Sequence, residues 1–157
     1  MFEVNGMKII FVCTGNTCRS PMAEAILKKM VYAENLDVQV ESRGTSVYTE
    51  DPINPKSAEA LATIGIKNVT HSSKQISKTD IEEADIVLTM TQQHKLSLVK
   101  TFPDFRYKIF TLAEYAVDSR EDISDPFGKS QIFYNFCVQE IKKLVEALFE
   151  EIKEQLA

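Results

Sequence analysis

Four apolar residues, Ile9-Ile10-Phe11-Val12, run directly into Cys13-Thr14-Gly15-Asn16-Thr17-Cys18-Arg19-Ser20-Pro21. The run from Lys8 to Val12 is short and rich in β-branched residues, which predicts a buried strand. From Met22 to Tyr32 the apolar residues Met22, Ala25, Ile26, Leu27 and Met30 fall at helical spacing. A strand that turns within nine residues into a helix is the first half of a βαβ unit, and the rest of the chain continues the alternation. Val38 to Val40 reads as a second strand. Ala58 to Ile64 reads as a helix stopped by Gly65. Thr79-Asp80-Ile81-Glu82 fits a capping box for a short helix. Asp85 to Met90 reads as a third buried strand, Thr91 to Thr101 as a helix and Tyr107 to Phe110 as a fourth strand. Phe133, Cys137, Ile141, Leu144, Leu148 and Ile152 recur at steps of three or four and form one stripe of a long final helix. The expected architecture is α/β: a single domain over residues 1–157, a four-stranded parallel sheet with helices on both faces, and a phosphate-binding loop after the first strand. The segments Arg43 to Pro55 and Val117 to Gly128 are the two long connections, which in a compact α/β domain tend to carry function.

Composition narrows the classes. With 44% hydrophobic and 26% charged residues in 157, the chain is neither disordered nor membrane-spanning. A formal net charge of -5 argues against non-specific nucleic-acid binding. The N-terminus has no basic segment followed by a long apolar one, so a secretory leader is not expected and a cytoplasmic location is. The three cysteines, Cys13, Cys18 and Cys137, make no disulfide framework. They form no Cys-x-x-Cys pair, and His71 and His94 lie far apart in sequence, so neither a metal site nor a cofactor is expected.

The loop after the first strand lies where ligands bind in open α/β sheets. Gly15 allows a turn that a side chain would obstruct, and Asn16 tolerates a left-handed backbone while tying the loop together. Ser20 is a natural N-cap and Pro21 a natural first helical residue. Together they aim backbone N–H groups at one point, an anion cradle. Cys13 at its entrance is placed for a lowered thiol pKa, Ser20 to donate to the thiolate, and Arg19 to grip two phosphate oxygens. A lone cysteine is ordinarily a small buried hydrophobe, and Cys-x5-Arg alone is a weak pattern. The whole stretch in its strand–loop–helix setting points to phosphoryl transfer through a cysteinyl-phosphate.

Val12 to Pro21 resembles the signature loop of the low-molecular-weight protein tyrosine phosphatases, and the resemblance covers nearly the whole chain. It implies that Cys13 is the nucleophile and Arg19 the phosphate clamp. Thr14, Gly15, Asn16, Thr17, Cys18 and Ser20 would form the phosphate cradle, with Ser42 and His71 supporting it. Asp125-Pro126 resembles the family's general-acid pair. Without the resemblance, Asp118 and Asp122 remain rival acids, and Asp125-Pro126 reads as a plain turn. Tyr48 and Phe127 resemble the aromatic residues that flank the family's cleft. Cys18 either packs under the loop or, as the resemblance implies, forms a reversible disulfide with Cys13. Cys137 reads as core, and His94 as a surface or structural histidine.

Thr17 stands where family members that act on phosphotyrosine usually have isoleucine or leucine. A threonine there, together with Met90-Thr-Gln-Gln-His-Lys95, Phe110-Thr-Leu-Ala-Glu-Tyr115 and Asp125-Pro-Phe-Gly-Lys-Ser130, resembles the protein arginine phosphatase branch. A polar hydroxyl suits a guanidinium better than an aliphatic side chain does. The favoured substrate is therefore a protein or peptide carrying phosphoarginine, with phosphotyrosine the alternative. Arg43 departs from the family's usual alanine, and a cation facing the cleft would repel such a substrate. An arsenate reductase would need a further cysteine near residues 80 to 90, where this chain has none. A non-catalytic phosphopeptide-binding module would be expected to lack the nucleophile or the acid.

Overall fold

The computed structural model describes residues 6–156. Part of the N-terminal stretch read above for a secretory leader, residues 1–5, lies outside them. Four parallel strands, β1 (Met7–Cys13), β2 (Val38–Gly44), β3 (Ile86–Thr89) and β4 (Ile109–Thr111), form one sheet in the order β2-β1-β3-β4. The chain leaves β1 to one side to reach β2 and later returns on the other side to add β3. The carboxyl end of β1 is thus the switch point of the sheet, where a crevice opens between diverging connections.

Side chains of β1 alternate between two cores, as the period of two requires. Ile9, Phe11 and Cys13 pack with α1 (Arg19–Ala33), α2 (Pro55–Thr63), α5 (Leu112–Val117) and α6 (Gln131–Leu156), while Ile10 and Val12 pack with α3 (Lys78–Glu83) and α4 (Gln92–Thr101). Helices therefore cover both faces, as expected.

Several boundaries differ from the sequence reading. The last helix buries Tyr134, Cys137, Val138, Ile141, Val145, Leu148, Phe149 and Ile152. Leu144 is half-buried and Phe133 is exposed, because the true apolar ridge is centred one residue beyond the assumed start. The capping box of α3 forms at Ser77, not Thr79. Ser77 Oγ accepts from the Asp80 N–H at 3.1 Å, and Asp80 returns the bond to the Ser77 N–H at 3.0 Å. Asp80 completes the box from the third helical position and also takes Arg43, which a box starting at Thr79 does not allow for. The fourth strand starts at Ile109 because Pro103–Lys108 coils into a 3₁₀ turn that leaves Tyr107 exposed. Helix α2 starts at Pro55, capped by Asn54, and stops as expected, with Gly65 at φ +85°.

Candidate active site

Five carbonyls of the loop after β1 are each held by a donor from elsewhere in the molecule. Cys13 and Thr14 C=O accept from the N–H groups of Thr45 (2.9 Å) and Ser46 (3.0 Å), and Thr17 C=O from Asn54 (2.9 Å). Asn16 C=O is bonded to His71 Nε2 at 2.6 Å, and Cys18 C=O accepts from Ser57 Oγ at 3.4 Å. By contrast, among the described residues none of the N–H groups of Thr14 to Cys18 donates to a protein acceptor. This is the pattern of an anion cradle: carbonyls fixed outward, donors left for a ligand.

Asn16 holds the curve. It is fully buried at φ +57°, a backbone region asparagine tolerates better than most residues. Its Nδ2 donates to Ser20 Oγ and Ser42 Oγ, both at 2.9 Å, and its Oδ1 accepts from the Lys74 N–H at 3.0 Å. Ser42 in turn donates to Glu24. Gly15 has an ordinary negative φ, and a Cβ there would meet only Thr17 Oγ1 at 3.9 Å. The turn that Gly15 was expected to permit is made by Asn16. The crowded glycine is Gly44, where a Cβ would lie 2.6 Å from Thr14 O and 2.4 Å from Val47 Cγ2.

Helix α1 begins at Arg19, so Ser20 is its second residue and Pro21 its third, and no side chain caps it. Ser20 serves the thiol instead: its Oγ lies 2.9 Å from Cys13 Sγ. Having accepted from Asn16, Ser20 keeps its own hydrogen for the sulfur. Arg19 is 4% exposed, and its Nη1 donates to Ile123 C=O at 2.8 Å. Its Nη2 lies 3.5 Å from Asp125 Oδ2. Cys13, Thr14, Gly15, Thr17, Cys18, Arg19, Asp125 and Phe127 together line a cleft of about 190 Å³.

The three candidate acids separate cleanly. Asp122 accepts from the Gln92 N–H at the start of α4, at 2.8 Å, and Asp118 is the left-handed C-cap of α5. Only Asp125 of the three lines the cleft, with its Oδ1 also accepting from the Phe127 N–H at 3.1 Å. Tyr48 does not line it and stands 93% exposed. Arg43 faces away: it forks onto Asp80 at 3.1 and 3.3 Å and reaches Glu41 at 3.2 Å. The cationic repulsion that its position raised therefore does not arise.

Cys13 and Cys18 are both free thiols in the same cleft. Burial pushes the Cys18 thiol pKa up, partly offset by the Tyr134 hydroxyl 3.7 Å away. Cys137 is core, as expected, and burial raises it to about 12. His94 is not a surface residue. It is 7% exposed, its Nε2 lies 2.8 Å from Thr14 Oγ1, and burial, helped by the Arg19 charge, lowers its pKa to about 4. The sequence signal was available: Thr91-x-x-His94 puts the histidine in the first turn after β3, on the same sheet edge as Cys13.

Backbone donors curved around one point suit a tetrahedral oxyanion, and a thiol at the base of that curve makes the class a cysteine-dependent phosphatase. Comparison with known proteins agrees. Residues 8–157 match the family described as low molecular weight phosphotyrosine protein phosphatase, and the chain belongs to that family. It is 42% identical to a protein-arginine-phosphatase of Bacillus subtilis, over 94% of this chain and 97% of that one. It is 39% identical to the low molecular weight protein-tyrosine-phosphatase PtpB of Staphylococcus haemolyticus, over 90% and 97%. Among solved structures it superposes with a TM-score of 0.92 on the YwlE arginine phosphatase in a Cys-to-Ser mutant whose active-site serine is phosphorylated. That pair is 40% identical over 96% of this chain and all of the other.

Proposed function

We propose that this chain hydrolyses phosphoarginine in proteins through a cysteinyl-phosphate on Cys13. In the first step the Cys13 thiolate attacks phosphorus, the S–P bond forms and the P–N bond breaks. The cradle N–H groups and Arg19 hold the three phosphoryl oxygens, and Asp125 gives its proton to the departing guanidinium nitrogen. In the second step water attacks phosphorus and Asp125 takes its proton. The S–P bond breaks, releasing phosphate and the thiolate, which Ser20 stabilises. Ser42 and His71 act through Asn16 and take no part in the chemistry. The observation that carries the reading is the convergence of Cys13, Arg19 and Asp125 on one cleft whose wall includes Thr17. The phosphorylated serine in the arginine phosphatase mutant supports attack on phosphorus by the residue at that place.

Phosphotyrosine is the second reading. It is favoured by the PtpB likeness and by Phe127, an exposed aromatic on the cleft wall. Phosphorylated protein is the partner in either case, in the cytoplasm. No helix among the described residues is long and apolar enough to cross a membrane.

The test is Thr17→Ile, assayed with phosphoarginine and phosphotyrosine in peptides of one sequence, without added metal. Losing the hydroxyl leaves a guanidinium N–H short of a partner, at roughly 1–3 kcal/mol. The added carbons favour a phenyl ring by about 0.8 kcal/mol per methylene. The ratio of kcat/KM values should therefore move towards phosphotyrosine by roughly ten- to a thousandfold. A wild type that already prefers phosphotyrosine, with a ratio that Thr17→Ile leaves unchanged, would refute the arginine reading.

A further inference from the structure

His94 is the third residue of α4, with its backbone N–H bonded to Thr91 Oγ1 at 3.1 Å. His94 does not itself line the cleft. Nε2 meets Thr14 Oγ1 at 2.8 Å, while Nδ1 is buried and has no hydrogen-bond partner among the described residues. Thr14 is exposed and lines the cleft.

A neutral imidazole has one N–H and one bare nitrogen. Placing the hydrogen on Nδ1 would bury an N–H with no acceptor, a rarer and costlier arrangement than burying a bare lone pair. The hydrogen therefore sits on Nε2 and is donated to Thr14 Oγ1. A hydroxyl that accepts on one side turns its own hydrogen elsewhere, and for Thr14 the open side is the cleft. We infer that His94 is a positioning residue that turns the Thr14 hydroxyl into a fixed donor to the bound phosphoryl group.

The charges around the ring keep it neutral. Burial and the Arg19 guanidinium disfavour the imidazolium, and the N-terminal end of α4 acts in the same sense. Asp125 and Asp122 act in the opposite sense, but neither is hydrogen-bonded to the ring. A charged ring would put a second cation beside Arg19 and a second N–H in a place without an acceptor.

The inference rests on the reading of the loop as a phosphoryl site, and its test separates the two. The ¹⁵N chemical shifts of the His94 ring in the wild-type protein should report the Nε2–H tautomer from about pH 6 to 8, where an ordinary histidine titrates. The Nδ1–H tautomer, or an imidazolium in that range, would overturn the inference. His94→Leu should weaken binding of inorganic phosphate, measured by calorimetry, and raise KM by roughly five- to tenfold, with kcat changed less. His94→Gln, whose amide also donates, should recover most of that loss. In a Thr14→Val background His94→Leu should cost nothing further. Additive losses in the double variant, or a glutamine as harmful as leucine, would show a merely structural histidine. Should the protein prove inactive on phosphopeptides, the function reading fails, while the tautomer and the phosphate isotherms still judge this one.

Discussion

The loop after β1 and the loop after α5 meet at one cleft but are built in opposite ways. In the first, Asn16 is fully buried and every polar atom of its side chain is hydrogen-bonded, as is its carbonyl. In the second, the Asp125 side chain is about half exposed, at 51%, and its carboxylate is held by the Phe127 N–H and the Arg19 guanidinium. Donors that meet a developing oxyanion work best when they need no rearrangement, so saturation from behind is useful in the first loop. A proton carrier must reach a leaving group in one step and a water in the next, so openness is useful in the second. Arg19 couples the two: it starts α1 from the rigid loop and bonds Ile123 C=O, two residues before Asp125.

The sharpest way to break this contrast is Cys13→Ser. An oxygen there is not ionised at neutral pH, so turnover should fall to background. The saturated loop should keep its shape, its melting temperature and its affinity for phosphate. Activity above a few per cent of wild type would remove Cys13 as the nucleophile. Loss of phosphate binding would show that the loop is not held from behind in the way its hydrogen bonds indicate.

Asp125→Ala probes the open loop. Its kcat should drop by roughly 10²–10⁴-fold on phosphopeptides, the usual scale for a general acid. The drop should be smaller on p-nitrophenyl phosphate, whose leaving group needs no proton. Asp118→Ala and Asp122→Ala should change kcat little, since Asp118 caps α5 and Asp122 holds the first turn of α4. A comparable loss at either would mean that the acid had been placed on the wrong residue.

Mild peroxide sharpens the contrast within the rigid loop itself. Oxidation of Cys13 to a sulfenic acid, followed by attack of Cys18 sulfur with loss of water, would join the two in a disulfide that thiol reductants reverse. The raised pKa of Cys18 makes its thiolate scarce at neutral pH, so closure should speed up as pH rises. Mass spectrometry should find the two residues linked after mild oxidation. Sulfinic acid on Cys13 beside an unmodified Cys18 thiol would disprove protection.

The sequence carried the βα alternation and the cradle because both depend on local signals: apolar period, loop chemistry and strand-to-helix transition. Asn16 was legible for the same reason. What stayed hidden depends on distant partners. Ser20 looks like an N-cap until Cys13 claims its hydroxyl, and the box at Ser77 competes with a Thr79 pattern that Asp80 cannot serve. Asp122 and Asp125 are alike in sequence and differ only in what their loop brings them to. Tyr48 is 93% exposed and does not line the cleft, so its pairing with Phe127 rests on likeness alone. Helix α5 was missed because its six residues are too short to show a period.

Asp80 tests the outermost brace of the rigid loop and should give the smallest effect. It caps α3 through Ser77 and clamps Arg43, whose carbonyl lies 3.4 Å from Ser20 Oγ. Burial alone would raise its pKa, but the bonds from Arg43 and Ser77 outweigh burial and hold it below the ordinary aspartate value. Asp80→Asn keeps the shape and part of the cap but loses the charge, so the variant should be about 1–3 kcal/mol less stable at pH 7. A depressed carboxylate pKa gives stability that is fully present above the unfolded value of about 3.9 and is lost as pH falls through the folded one. The gap between wild type and variant should therefore be full at neutral pH and begin to narrow as pH falls below about 4. Urea midpoints at pH 7 and pH 3 measure it. The cradle draws its shape mainly from Asn16, so kcat/KM at pH 7 should change far less than stability does. A gap that persists undiminished at pH 3 would mean that Asp80 acts through packing and not through its charge.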